Sequence, residues 1–279
     1  MRLGVKISIP NTIVKPNPGV ELLNLYPGAA AAYSLRLLDT NSTGSAVRVR
    51  RADDNEEQDI GFRTGVVGKI LDTSTLEAFS LSGDCFVTTW YDQSGNGNDI
   101  EISTAAQQPQ IVGEGSTITD GGKASMFLDQ ATTRGLDISI PASSTQDFFQ
   151  VHKTNDTNII FLRDTFSTAR YAWAATDNSS STVLNASYGT PSLFVNGTSQ
   201  NPQNRDALHS LLSTNNQVLM SSIGGDSSAF TGIIRWGYYS STSVYDGNVQ
   251  EIIFYNSDQS DNRSGIETNI NNFYSIYTP

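Results

Sequence analysis

The sequence predicts an all-β fold of the sandwich or jelly-roll kind, with a few short helices and one helix at its C-terminal end. Three observations carry this. Apolar stretches rich in Val, Ile, Thr, Phe and Tyr recur about every eight to twelve residues from Cys85 to Tyr255, each closed by Gly, Asn, Asp or Ser. Charged residues make up only 16% of the chain, and the polar remainder is Ser, Thr, Asn, Gln and Gly, which favour turns over helices. After residue 25 there is neither a linker nor an internal repeat, so 26–279 reads as one domain.

Taken in order, residues 1–25 carry Pro10, Pro16 and Pro18 without a helical period and read as an extended N-terminal arm suited to docking and assembly. The Ala- and Leu-rich run Ala29 to Leu38 predicts a short helix. Ala46 to Arg50 alternates apolar and charged residues and predicts a half-exposed strand, with Arg48 to Arg51 paired at the surface with Asp53, Asp54, Glu56 and Glu57. Ser74 and Glu77 fit a capping box, which starts a short helix. Gly61 to Gly68 lacks the Gly-Lys-Ser/Thr ending of a phosphate loop and reads as a turn. Strands follow near 85–91, 109–112, 124–129, 136–140, 147–153, 158–163, 169–175, 181–188, 192–195, 207–213, 216–223, 229–238 and 248–255. The closing helix, near 260–277, buries Ile266, Ile270, Phe273, Tyr274 and Tyr277.

Composition excludes several classes. A net charge of −11, with no lysine after Lys153, opposes a nucleic-acid surface and repels anionic lipid. No apolar run approaches the roughly 20 residues of a membrane-spanning helix, and membrane insertion is not expected. The first ten residues lack the apolar core of a signal peptide, so synthesis in a reducing cytoplasm is the expectation. Cys85, the lone cysteine, cannot form an internal disulfide and reads as a buried small hydrophobe. His152 and His209 both fall on predicted strands outside any motif.

The most informative stretch runs from Val87 to Asp99, where a strand ending Trp90-Tyr91 passes into Asp92-Gln93-Ser94-Gly95-Asn96-Gly97-Asn98. It resembles a signature of the catalytic domain of α-L-arabinofuranosidase B enzymes, a concanavalin A-like jelly roll, which also recurs in lectin-like domains of tailed-phage virion proteins. Two weaker blocks extend the resemblance over roughly residues 27–255: Ala32 to Leu38 with Arg48 to Arg51, and Ile223-Gly224-Gly225-Asp226-Ser227-Ser228 followed by Tyr245-Asp246-Gly247. The resemblance implies a concanavalin A-like fold and makes Asp226 the counterpart of the family's general acid. A retaining glycosidase needs a second carboxylate about 5 Å away as nucleophile. In the family this is a glutamate between the second and third blocks, yet Gly115 to Gln250 contains none, and the family's adjacent cysteine pair is missing. That leaves aspartates such as Asp156, Asp164, Asp177 and Asp206 to substitute for it, none within a matching motif.

Two further sites are readable. Asp92, Ser94, Asn96 and Asn98 place oxygens at alternate positions, as in the first half of a calcium loop, but the twelfth position is Ser103 and Glu101 is out of register. A polar turn bonded to itself competes with calcium there, and no other cofactor is expected. Sugar rings need aromatic faces beside hydroxyl-binding polar groups. Tyr171, Trp173, Trp236 and Tyr238, near Asp177 and Asp226, supply these or else belong to the core.

The retained scaffold and the incomplete catalytic pair favour a non-catalytic, lectin-like virion protein of a tailed phage. On this reading it binds a host-surface glycan, contacts other virion proteins through its arm, assembles as a homo-oligomer and acts outside the cell. The alternatives are a glycoside hydrolase of α-L-arabinofuranosidase type and a decoration protein with no ligand.

Overall fold

The computed structural model describes residues 20–63, 69–132, 135–154, 158–165, 170–176, 179–214, 216–231, 233–240 and 243–278. Thirteen of the described strands form one antiparallel sheet. Its main path runs Thr198–Gln200, Gly189–Val195, Val218–Gly225, Gln146–Thr154, Gly247–Tyr255, Met126–Leu128, Gln110–Gly113, Cys85–Trp90, Val47–Arg51 and Glu57–Ile60. Smaller sheets supply the second layer, chiefly Leu136–Ile138 with Ile234–Trp236 and Arg163–Asp164, and Asn158–Ile160 with Ala174–Thr176. The main core joins the layers, with Val87, Met126, Phe148 and Ile252 from the large sheet and Ile138, Ile234, Trp236 and Ala175 from the small ones. This is the all-β sandwich predicted from strand spacing.

The central strands are covered on both faces. Along Gln146–Thr154, Phe148 enters the main core, while Phe149 and Val151 enter a second cluster with Ile266, Ile270 and Tyr274 of the C-terminal helix. With both faces covered, every residue of this strand except Lys153 is buried, although six of the nine are polar. Its inward polar groups are handled differently. Gln150 Oε1 accepts from Trp236 Nε1 at 2.6 Å. His152 is fully buried between the rings of Phe161 and Tyr245, and neither ring nitrogen has a hydrogen-bond partner among the described residues. Burial pushes its pKa down to about 3.

Four helices are described: α1 (Leu22–Leu25), α2 (Thr73–Ser80), α3 (Arg205–Leu212) and α4 (Arg263–Tyr274). Helix α2 is the one anticipated from the capping box, but Asp72 caps it, accepting the Thr75 N–H at 3.2 Å. Helix α4 matches the predicted stripe, with Phe273 and Tyr277 only partly buried. Most predicted strands are present, and three predictions fail. Ala29 to Leu38 contains a strand, Ala31–Ser34, because its backbone pairs with Gly247–Tyr255 (Ala31 with Phe254 through Ser34 with Glu251), which overrides alanine's helical preference. The span 207–213 is helix α3: Asn204 caps it, accepting the Ala207 N–H at 2.8 Å, and Leu208 and Leu212 form its buried face. His209 therefore sits on a helix. The span 181–188 holds a 3₁₀ turn, Ala186–Tyr188, and one bridge from Leu184 to Trp173.

Most of the proposed arm lies outside the described residues. Its end does not behave as an arm, since Leu22 and Leu23 are buried in the α4 cluster and the Leu23 N–H donates to Leu38 O at 2.8 Å. The Gly61 to Gly68 turn lies partly outside the described residues as well. Cys85 is buried, as expected, and its thiol pKa rises to about 11 through burial. Arg51 pairs with Asp54 at 2.6 Å as expected, whereas Arg48 pairs with Asp59, its cross-strand neighbour, at 2.7 Å.

A buried ion pair ties the Ala31–Ser34 segment to the sheet and to α4. Arg36 donates through Nε and Nη2 to the two oxygens of Glu251 at 2.7 and 2.9 Å, and through Nη1 to Asn269 Oδ1 at 2.9 Å. Ser34 and Tyr274 hydroxyls also donate to Glu251, at 2.7 and 3.2 Å.

Two outcomes follow from this packing. Replacing Arg36 by Met strands a fully buried carboxylate, and urea unfolding should show a loss of about 3–5 kcal/mol, largely recovered in the Arg36→Met/Glu251→Met double variant. The folded-state pKa of His152 lies below its unfolded value of about 6.5, so the unfolded chain binds the extra proton first. Stability attributable to this residue is intact above about pH 6.5 and falls as pH drops toward 3. Thermal midpoints of His152→Leu should therefore fall less steeply than wild type between pH 6.5 and 4.

Candidate active site

The block from Trp90 to Asp99 is a clamp on the Ala29–Leu38 segment. Trp90 is fully buried, its ring 5.6 Å from that of Tyr33. Asp92 Oδ1 accepts the N–H groups of Ala32 and Ser94 at 2.8 and 2.9 Å, while Oδ2 accepts the Ser94 hydroxyl and the Asn98 N–H at 2.7 and 3.0 Å. Asn96 and Asn98 each donate an amide N–H to Ala30 O. Gln93, buried, accepts from Leu38 N–H and donates to the carbonyls of Ser34 and Arg36. Gly95 and Gly97 take φ of +85° and +73°, which lets the loop fold back without strain. The four residues read as calcium ligands direct their polar groups at neighbouring backbone and at one another. No group of three or more His, Cys, Asp or Glu side chains suited to a metal forms among the described residues.

Asp226 follows the Val218–Gly225 strand at a tight turn. Its N–H donates to Tyr188 O at 3.0 Å, and its Oδ1 accepts the Ser228 N–H at 2.8 Å. The other oxygen has no hydrogen-bond partner among the described residues, and the side chain is half-buried. Ser227 anchors the turn through paired contacts with Ser143. Tyr188, fully buried, packs beneath: its hydroxyl donates to Gln146 Oε1 at 3.2 Å, and its ring occupies the space over Gly225. Burial, reinforced by the charges of Asp147 and Asp226, raises its pKa well above the ordinary value.

Asp147 is a second carboxylate in this neighbourhood, and sequence reasoning did not single it out. It is fully buried, with Oδ1 and Oδ2 accepting the N–H groups of Gly224 and Gln259 at 2.6 and 2.7 Å. Burial raises its pKa, and the two backbone donors oppose the rise. Its role is to join the strand that carries Asp226 to the loop before α4.

The predicted aromatic faces separate. Trp236 is fully buried in the main core, and Tyr171 is 6% exposed with its hydroxyl accepting from Arg205 at 2.8 Å. Neither ring is exposed as a platform: Trp236 fills interlayer space, and Tyr171 packs with Ala174 in a small separate cluster. Tyr238 is half-buried, with the guanidinium groups of Arg163 and Arg235 over its ring at 5.8 and 5.3 Å. Trp173 donates to Ser222 Oγ at 2.9 Å and lines a cleft of about 500 Å³ with Ser181, Thr190, Ser192, Gln200 and Asn201. The cleft's lining is neutral, made of hydroxyls, amides and apolar side chains. It borders the strand that begins at Gly189, which pairs with Gly225 beside Asp226. Asp177 lies outside the described residues.

The sequence model described as the catalytic region of α-L-arabinofuranosidase B matches residues 25–251, most of the chain. The chain belongs to that family. Curated members with local similarity include the probable α-L-arabinofuranosidase B of Aspergillus flavus (34% identical over 74 residues) and the α-L-arabinofuranosidase B of Emericella nidulans (36% over 74 residues). In each case the match covers 26% of this chain and 14% of the relative. An arabinofuranosidase solved with arabinofuranosyl-α-1,2-xylobiose superposes with a TM-score of 0.54 at 15% identity, covering 91% of this chain and 64% of that one. A GH54 α-L-arabinofuranosidase soaked with a cyclic sulfate inhibitor gives 0.55 at 14%, covering 94% and 66%. At that identity the likeness establishes the arabinofuranosidase B fold alone, and the chain spans under two thirds of the length of either structure.

Membership of a catalytic-domain family overturns the leading expectation of a non-catalytic virion lectin. The lack of a glutamate between Gly115 and Gln250 does not exclude catalysis, since aspartate provides the same functional group.

The packing of Tyr188 against Gly225 is directly testable. A β-carbon on Gly225 would lie 2.4 Å from the tyrosine ring. Gly225→Ala should cost about 1–3 kcal/mol in urea unfolding, and Gly225→Ala/Tyr188→Leu should regain part of it.

Proposed function

We propose that the chain is a glycoside hydrolase of the α-L-arabinofuranosidase type, with Asp226 as the acid that protonates the leaving oxygen. The family match across residues 25–251, which includes the turn presenting Asp226, carries this reading. The geometry is compatible with it. One carboxylate oxygen of Asp226 is uncommitted among the described residues, and the neighbouring cleft lined by Trp173 offers hydroxyls and amides to a neutral sugar. The nucleophile is then an aspartate. Asp147 is tied to two backbone donors, which favours one of the other aspartates, with Asp177 following the strand next to Trp173 in sequence. The relative solved with arabinofuranosyl-α-1,2-xylobiose supports arabinofuranosyl side groups on a xylo-oligosaccharide as the substrate class.

Hydrolysis assays test the assignment. Wild type should release arabinose from an aryl α-L-arabinofuranoside and from arabinoxylan. Asp226→Asn should lose about 10²–10⁴ in rate on arabinoxylan, and less on an aryl glycoside whose leaving group needs no proton. Azide should restore turnover to the variant lacking the nucleophile, with Asp177→Asn and Asp147→Asn compared side by side. Equal rates in wild type and Asp226→Asn, or no turnover in wild type, would overturn the proposal.

A further inference from the structure

The large sheet has an open patch on the face turned away from the main core. Cys85 and Val87 enter that core, as do Met126 and Leu128, so Phe86 and Phe127 point the opposite way. Farther along the sheet, that outer face is covered by α4, through Phe149, Val151, Ile253, Ile266 and Ile270. Over Cys85–Trp90, Gln110–Gly113 and Met126–Leu128 it is open, and Phe86, Gln110 and Phe127 are all partly exposed. These three residues form one cross-strand row, Phe86 opposite Gln110 and Gln110 opposite Phe127. They line a groove of about 360 Å³, with Asp129 and Thr132 at its rim. Arg50 stacks over Phe86 at 5.5 Å and is itself held by Gln108 and Asn55 at 2.8 and 2.9 Å.

We propose that this groove is a second carbohydrate-binding site, which holds the backbone of a neutral polysaccharide away from Asp226. Two phenyl rings bracketing a primary amide match the two demands of a sugar: flat apolar faces for its C–H surfaces and polar groups for its hydroxyls. The rings stand two strand spacings apart, roughly 10 Å, a separation suited to sugars along an extended chain rather than to one monosaccharide. A polyanion is disfavoured by the net charge of −11 and by Asp129 at the rim. The site is separate from the Asp226 turn, because the Met126–Leu128 and Cys85–Trp90 strands lie three and five places along the sheet from Val218–Gly225. The inference rests on the glycoside-hydrolase reading only for the kind of chain bound.

Affinity electrophoresis in arabinoxylan, with polygalacturonate as the anionic control, tests it in the full chain. Wild type should be retarded by arabinoxylan and not by polygalacturonate. Phe86→Leu/Phe127→Leu should bind at least tenfold more weakly while turning over an aryl arabinofuranoside at the wild-type rate. Ala106→Arg, on an exposed residue at the groove's edge, should block binding without entering the core, and serves if the double variant fails to fold. Asp226→Asn should retain wild-type retardation. Binding unchanged in both groove variants, or no retardation of wild type, would overturn the proposal. Groove-dependent binding by a protein that hydrolyses nothing would uphold it while removing the catalytic reading.

Discussion

The bidentate pair between Arg36 and Glu251 sits where three parts of the chain that are distant in sequence must agree. Glu251 lies on a central strand of the large sheet, Arg36 follows the Ala31–Ser34 strand beside it, and Asn269 and Tyr274 of α4 complete the shell. Two charges removed from water are costly unless every remaining donor and acceptor is met. Meeting them fixes the register of Ala31–Ser34 against Gly247–Tyr255 and the seating of α4 together. The charge pair is thus a device for specificity of arrangement, while the apolar clusters on both sheet faces supply the bulk of the stabilisation.

The signature from Trp90 to Asn98 belongs to the same construction. Its polar side chains fasten the Ala29–Leu38 segment through backbone donors and acceptors, so its conspicuous residues are structural ones. This gives the motif a structural reason to persist whatever acids carry the chemistry. The motif answers to the geometry of one loop on one strand. The catalytic pair answers to the spacing between carboxylates brought in on different strands, and either acidic residue type can meet it.

Burial sorted the aromatic residues by a rule that sequence could not apply. Trp236 fills the interlayer space, Tyr171 packs in a small separate cluster, Tyr238 has two arginines near its ring, and Trp173 lines a cleft. Meanwhile Phe86 and Phe127, which carry no motif, share an open groove because two strand registers align them with Gln110. Alternation within a strand tells which residues share a face. It does not tell whether that face meets a second layer, a helix or solvent.

Legible in the sequence were the sandwich class, most strand positions from Cys85 onward, the α2 and α4 helices, the buried Cys85 and the Arg51–Asp54 pair. These follow from local period, turn chemistry and proximity along the chain, all of which act over a few residues. Tertiary structure decided what depends on distant partners. Ala31–Ser34 became a strand because a neighbour offered it hydrogen bonds, and Leu22 and Leu23 left the arm because α4 offered them an apolar surface. Asp147 went to structural duty because Gly224 and Gln259 point their N–H groups at it. Such outcomes are set by which surfaces meet in space, and no window of sequence contains both sides of the contact.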